Sequence, residues 1–263
     1  MAAIELITGR VMSPGSTLTP VTMNGTDSKT IRNAPQEHRP MLLNAWAKNH
    51  ADGTLRIRSP AMHDNVRGIT LQVRGNQPKM LLPQYPLQPL IPQDTLEIEL
   101  SGSSTGGEIE LCALLIYYPD LPGIAARFIT PDELVRRTKH ILTIDNNLSL
   151  DTSGSYSGEE ALNAESDLLK ANTDYAIIGY QVYPAALAVY WKGSDLGNLR
   201  LGAPAQANMP LVNRSFFVTL SQKTGLPAIP VINSANVDGV MVGAVQDESG
   251  TDIQLTTILA ELE

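Results

Sequence analysis

Cysteine is almost missing from this chain. Cys112 is the only one, so no disulfide can form within the chain and nothing argues for an oxidising compartment. Aromatic residues make up 5% of the sequence, few for a sugar-binding surface built on exposed rings. Trp191, Tyr190, Tyr180 and Phe217 fall in predicted strands as core, and Trp46 alone falls near a loop. Basic residues are outnumbered, 19 Lys and Arg against 27 Asp and Glu for a net charge of −8, and they form no arm or block at either end. Such a chain repels phosphate, so direct contact with nucleic acid is not expected. No apolar run approaches the roughly 18–20 residues of a membrane span. The opening Met-Ala-Ala-Ile-Glu-Leu-Ile-Thr lacks a basic segment and is interrupted by Glu5, so it reads as a first strand rather than a signal peptide.

Catalytic signatures are missing as well. There is no phosphate-binding loop, dinucleotide fingerprint, His-Glu-x-x-His pair or Gly-x-Ser-x-Gly elbow. The four histidines, at 38, 50, 63 and 140, do not stand at the close spacing of a metal pair. His63-Asp64 is the best acid/base step on paper, but the similar step in the second half is Ser194-Asp195, so the shared feature is a turn aspartate. Asp145-x-Asn147-x-Ser149-x-Asp151 starts like a calcium loop, yet Leu150 and Tyr156 stand where the glycine and the closing acid belong. Strand alternation explains the same pattern, with Leu148 and Leu150 facing inward. Cys112 reads as a small sheet residue rather than a reactive thiol. No catalytic, cofactor-binding or metal-binding residue is assigned, no cofactor is expected, and the chain is not read as an enzyme.

What is present is a repeat. Shifted by 144 positions, Asp94–Tyr118 lies over Asp238–Leu262 without a gap, with five identities: Asp94 on Asp238, Gly106 on Gly250, Ile109 on Ile253, Leu111 on Leu255 and Leu115 on Leu259. Leu96, Ile98 and Leu100 fall on Val240, Val242 and Ala244, and a polar loop falls on a polar loop. In both copies two period-2 runs around that loop predict a β-hairpin. Upstream, Leu42-Leu43 lies over Leu168-Leu169 and Pro60 over Pro184. The offset there drops to 126 and then 124, so the second copy carries about 20 extra residues in loops. A period this long means a duplicated domain, not a solenoid.

The 18 Pro and 20 Gly are scattered, as in many short strands joined by turns. Strands are predicted at Ile4–Ile7, Met41–Ala47, Thr54–Arg58, Ile69–Arg74, Ile141–Leu150, Tyr175–Val182, Ala186–Trp191, Phe216–Leu220, Val240–Val245 and Ile253–Leu262. The Pro-rich piece Pro78–Pro92 reads as an edge or exposed crossing loop. Thr130-Pro131-Asp132-Glu133, followed by Arg136, Arg137, Lys139 and His140, signals a short capped helix whose charges complement its dipole. Its basic end reads as solvated rather than as an anion site. Gly158–Lys170 is rich in helix formers and predicts a second helix. The fold class is therefore all-β: a first domain over 1–122 with its N-terminal segment, a helical linker over 123–140, and a second domain over 141–263, each an antiparallel β-sandwich.

The repeated segments, the linker around Pro131 and the insertion at Gly158–Lys170 together resemble the double jelly-roll major capsid proteins of tailless, membrane-containing icosahedral viruses, including bacteriophages. The resemblance covers the whole chain and is architectural, with no functional residue to transfer. It implies two tandem jelly rolls with short helices in the linker and in a loop of the second domain. It also implies homotrimers with a pseudo-hexagonal outline that tile an icosahedral capsid assembled in the host cytoplasm. The partners would be other copies of the chain, other capsid or vertex proteins, and an internal viral membrane. Loops such as Gly193–Pro210 and Pro78–Pro92 would lie on outer or inter-subunit surfaces. A virion spike or receptor-binding module is the next reading, and a two-jelly-roll glycan-processing enzyme the third.

Overall fold

The computed structural model describes residues 1–61, 66–74, 87–162, 169–205, 213–248 and 250–263. Eighteen named strands in chain order are β1 (Ala3–Met12), β2 (Thr19–Pro20), β3 (Thr22–Met23), β4 (Met41–Lys48), β5 (Gly53–Arg58), β6 (Ile69–Val73), β7 (Gln88–Pro89), β8 (Glu97–Ser101), β9 (Ile109–Tyr118), β10 (Phe128–Ile129), β11 (Thr138–Leu150), β12 (Tyr156–Ala161), β13 (Asp174–Tyr183), β14 (Ala188–Lys192), β15 (Leu201–Pro204), β16 (Ile229–Asn233), β17 (Met241–Val245) and β18 (Thr251–Leu262). Helix α1 (Pro131–Arg137) precedes β11, and α2 (Phe216–Thr224) lies between β15 and β16. A short 3-10 turn spans Ser234–Gly239.

The strands form four sheets. In the first half, β3-β1-β9-β4-β7 faces β2-β8-β5-β6; in the second, β10-β16-β13-β18-β11 faces β12-β17-β14-β15. Every named strand pair is antiparallel. With β3 and β10 set aside as edge additions, each half has eight strands in one order: 1-8-3-6 in one sheet and 2-7-4-5 in the other. The same strand order thus occurs in both halves of the chain.

Its residue register is not. β8 and β9 lie in different sheets, as do β17 and β18, so the expected hairpins are instead corners that carry the chain from one sheet to the facing one. Alternation predicts a strand but not its partner, and the loop after Ser101 is long enough to cross the ~10 Å between packed sheets. The 144-residue offset keeps faces on the first strand of each pair, since Ile98 and Val242 both point into a core. It reverses them on the second. Cys112 is buried in the first half's own core, whereas Thr256, which lies over it, is on the outer side of β18, where its hydroxyl meets Asp145. A one-residue slip moves every side chain to the other face.

Both faces of the first half's larger sheet are buried. In β9, Cys112, Leu114, Ile116 and Tyr118 join Leu55, Ile57, Ile98 and Leu100 in the first core. Leu111, Ala113, Leu115 and Tyr117, on the opposite face, join the second half's core. The continuous apolar run Leu111–Tyr118 is the pattern of a strand covered on two sides. The second half's core is held by Trp191, Tyr180, Phe216 and Phe217, whose rings pack edge-on or tilted at 5.1–5.9 Å.

Three further expectations are corrected. Phe216–Leu220 is helix, not strand: Phe216, Phe217, Leu220, Ser221 and Thr224 are its buried positions, a helical spacing, and left-handed Gly225 ends it. Gly158–Ala161 belongs to strand β12 rather than to a helix, because pairing with β17 outweighs local propensity; residues 163–168 lie outside the described residues. Trp46 is not near a loop surface but 1% exposed within β4. The linker helix has its expected start, with Thr130 capping through Glu133 N–H and Pro131 in the first turn, but it ends at Arg137, and Lys139 and His140 lie in β11 instead.

Gly202 in β15 sits where an added Cβ would come 2.4 Å from Cδ2 of Leu6, and within 2.7 Å of its Cβ and Cγ. Gly202→Val should therefore lower the unfolding free energy by about 1–3 kcal/mol, read as a reduced denaturant midpoint. An unchanged midpoint would contradict this close packing of the two halves.

Candidate functional site

The most elaborate chemistry in the molecule lies where the two halves meet. The β3-β1-β9-β4-β7 sheet of the first half packs on the β12-β17-β14-β15 sheet of the second. Leu6 rests against Gly202, its N–H donates to the Arg200 carbonyl at 2.7 Å, and the Trp46 indole N–H donates to the Leu187 carbonyl at 2.8 Å. Ala188, Gly202 and Gly243 hold little side-chain bulk, so the sheets approach closely, and the Tyr190 ring lies over Gly243.

Charged groups close the rim. At one side Asp27 accepts the Thr8 N–H at 2.7 Å and the Tyr156 hydroxyl, and pairs with Arg200 at 3.3 Å. The Arg200 guanidinium stacks 3.9 Å over the Tyr156 ring, and Tyr156 meets Tyr190 edge-on at 5.2 Å. Burial raises the Asp27 carboxyl above its ordinary value, against the lowering pull of Tyr156, Thr8 and Arg200. At another side Lys48 pairs with Asp247 and with Oε1 of Gln246 at 2.5 Å. His50 lies 3.4 Å from Asp247 and 3.9 Å from Glu110, while Glu110 is fully buried and accepts the His50 and Ser103 N–H groups. Arg10 reaches the Ser153 carbonyl at 3.1 Å.

The remaining candidates carry no chemistry. Cys112 is buried, its thiol pushed up to about 12 by desolvation, so it does not form a thiolate at neutral pH. His38 is exposed, 3.9 Å from Asp120, His140 lies on β11, and His63 and Asp64 lie outside the described residues. The calcium-like residues Asp145, Asn147 and Ser149 alternate along the outer face of β11, where Asp145 accepts from Thr256 and Ser149 meets Asp252. They line a strand rather than a loop. Among the described residues no group of three or more His, Cys, Asp and Glu is placed to hold a metal ion, and no helix is long and apolar enough to cross a membrane. Asp195 serves its turn by accepting from Asn233 and Asn236.

The basic cluster near α1 is engaged internally. Arg137 meets Glu133, Asp174 and the Glu263 carbonyl, and Lys139 meets Glu263. Arg127 and Arg137 surround Asp174 and hold its carboxyl below the ordinary range, Arg127 contributing most. β10 pairs with β16, so the linker is fastened to the second half. An open cleft of about 720 Å³ near Glu5 and Arg32 offers no free acid/base pair, because the Arg32 guanidinium binds both Glu5 oxygens.

Among the described residues two sheet faces reach the surface, the second only in part, because Asn213–Arg214 backbone lies against Gly179 and Ala176, Val231, Ile258 and Ala260 on that face are buried. The outer face of β2-β8-β5-β6 carries Thr54, Arg56, Arg58, Thr70, Gln72, Glu97 and Glu99. There Glu99 bridges Arg56 at 2.7 Å and Arg58 at 3.3 Å, and its carboxyl is held low chiefly by Arg56. The outer face of the β10-β16-β13-β18-β11 sheet carries Asp145, Asn147, Gln181, Tyr183, Asp252 and Gln254, with Arg214 beside Gln181. Sequence reasoning missed both the joint and these faces; the continuous apolar run Leu111–Tyr118 was the available signal.

No family model matches the chain, and no curated protein matches it. Among solved structures it is similar to the PBSX exported protein XepA, at 10% identity and a TM-score of 0.26, over 98% of this chain and 86% of that one. It is also similar to the stem and receptor binding domain of the spike protein P1 from bacteriophage PM2, at 7% identity and a TM-score of 0.16, over 98% of this chain and 97% of that one. Neither protein's role is carried over to this chain.

Two outcomes test the rim. Lys48→Met leaves Asp247 buried without its cation and should cost about 3–5 kcal/mol of unfolding free energy, measured by denaturant titration; a loss below about 1 kcal/mol would contradict a buried pair. Asp27 binds its proton more tightly folded than unfolded. Its linked stability is therefore fully present below the ordinary carboxylate value and is lost as pH rises through the raised folded value. The stability of the wild type relative to Asp27→Asn should fall as pH goes from about 4 toward neutral, and a rise over that range would reverse the sign assigned here.

Proposed function

We propose that the chain is a structural virion protein, a double jelly-roll major capsid protein whose trimers form pseudo-hexagonal units of an icosahedral shell. Residues 1–122 form the first barrel and the second begins with β11 at Thr138; the connection between them is fastened to the second through β10. The observation that carries this reading is the recurrence of one eight-strand order, 1-8-3-6 facing 2-7-4-5, twice in tandem. That order is the one two Greek keys produce when rolled into a double-sheet jelly roll.

The joint supports the same reading. A shell unit must pass force between its barrels without bending, and an interface that shares one core gives a block whose halves move together. A net charge of −8 fits a coat held away from the genome, over an internal membrane, with other capsid or vertex proteins as neighbours. Assembly in the host cytoplasm suits a chain with one buried thiol. Its work is done by surfaces rather than by a catalytic pocket.

Light scattering on the purified protein, at several concentrations and salt levels, tests this. The expected mass is near three times 28.4 kDa. A persistent monomer would overturn the trimer and direct attention to a spike module or a glycan-processing enzyme.

A further inference from the structure

One lysine ends inside the joint. Lys48 closes β4 in the first half, Asp247 follows β17 in the second, and the two meet although 199 positions apart in the chain. Their side chains are 11% and 4% exposed, and the ammonium touches Oδ1 of Asp247. Among the described residues the other lysine–carboxylate pairs, Lys139–Glu263 and Lys170–Glu261, leave the ammonium 43% and 60% exposed. Burying two ions costs far more than burying a neutral amide. The Lys48–Asp247 pair is therefore the one most relieved by a reaction that removes both charges.

We propose that Lys48 and Asp247 condense into an isopeptide bond that ties the two halves of the chain covalently, with His50 carrying the proton. The proposal goes beyond the capsid reading and does not depend on it. The ammonium passes a proton to the carboxylate it touches, which leaves a neutral amine beside a carboxylic acid. The Nζ lone pair then attacks Cγ and forms a tetrahedral adduct. Nε2 of His50 lies 3.4 Å from Oδ2 of Asp247, so the imidazole delivers a proton to that oxygen, recovers one from Nζ and ends unchanged. Oδ2 leaves as water. Of the three ammonium hydrogens, one stays on the amide nitrogen and two leave in the water. One N–C bond forms, one C–O bond breaks, and nothing is oxidised or reduced.

The surroundings suit this chemistry. Fixed contact replaces an encounter between free molecules and is worth an effective concentration on the order of 10⁵–10⁸ M. Bulk water, which would reverse the reaction, is largely kept from a buried pair. His50 is partly exposed at the rim, which gives the released water a way out. Its other ring nitrogen, Nδ1, is buried without a hydrogen-bond partner and lies 3.9 Å from the Glu110 carboxylate. The ring is therefore not locked in one tautomer and is able to exchange its proton. Gln246 is the competing acceptor, since its Oε1 lies 2.5 Å from the Lys48 ammonium. Its amide nitrogen, however, is already donating to the Ala185 carbonyl at 2.9 Å, whereas the imidazole stands beside the oxygen that Asp247 has to lose.

Intact-mass spectrometry tests the bond on the full chain. The purified protein is held folded overnight, then denatured and weighed beside Lys48→Arg, which keeps the cation but does not form the amide. The wild type should lie one water below its sequence mass and Lys48→Arg at its own full sequence mass. Digestion of the wild type should release one branched peptide that joins Lys48 to Asp247. His50→Gln should slow the reaction by roughly 10²-fold, seen as full-mass chain in freshly made protein whose circular dichroism spectrum is that of the wild type. A folded wild type at its full sequence mass would overturn the proposal. So would a lost water that maps to a succinimide at Asp52-Gly53 or Asp238-Gly239, or lost ammonia with Gln246 as the joined residue. If fresh His50→Gln is as completely joined as the wild type, the bond stands and the role of His50 falls. None of these results bears on the trimer expected of the capsid reading.

Discussion

One sheet has to be covered on both sides, and the rest of the molecule is arranged around that. β9 turns Leu114 and Ile116 toward one core and Leu115 and Tyr117 toward the other. A sheet with two apolar faces cannot stand at a surface, because each exposed leucine-sized side chain would forfeit about 1.5–3 kcal/mol of burial. The first half is therefore incomplete by itself and the second half supplies its missing layer. Gly202 lets that layer come close to Leu6, and the Trp46 indole finds its acceptor there, in the Leu187 carbonyl.

The electrostatics follow from this packing. Lys48, Glu110 and Asp247 are buried, and the Asp27 side chain nearly so, because they lie at the edges of the joint, and each has a charged or hydrogen-bonding partner that offsets part of its desolvation. These pairs add little net stability compared with apolar packing. They contribute alignment, because a shifted joint would leave charges buried and unpaired. The outer sheet of the first half and helix α1, by contrast, keep their ions at the surface, as in the Arg58–Glu97 and Arg137–Glu133 pairs, where solvent and salt reduce each to a modest contribution.

Much of the fold was legible in the sequence. The all-β class, the capped helix at Pro131–Arg137 and most long strands follow from period-2 runs and turn residues. What could not be read was partnership. Alternation in Asp94–Tyr118 identifies two strands but is silent on whether they pair or cross between sheets, and a strand buried on both faces has lost the polar side that marks its orientation. The short strands Gln88–Pro89 and Leu201–Pro204 lack the length for any periodic signal, and Phe216–Thr224 looks extended because its paired phenylalanines mask the helical spacing of Leu220 and Thr224. The polar joint residues were illegible for a different reason. Asp27 and Arg200, or Lys48 and Asp247, are far apart in the chain and meet only through the stacking of the halves.

Electron cryomicroscopy of the purified oligomer, viewed along its axis, tests the central claim most directly. The account predicts six β-sandwiches around that axis, two per chain. A particle with another number of sandwiches in its ring would contradict it.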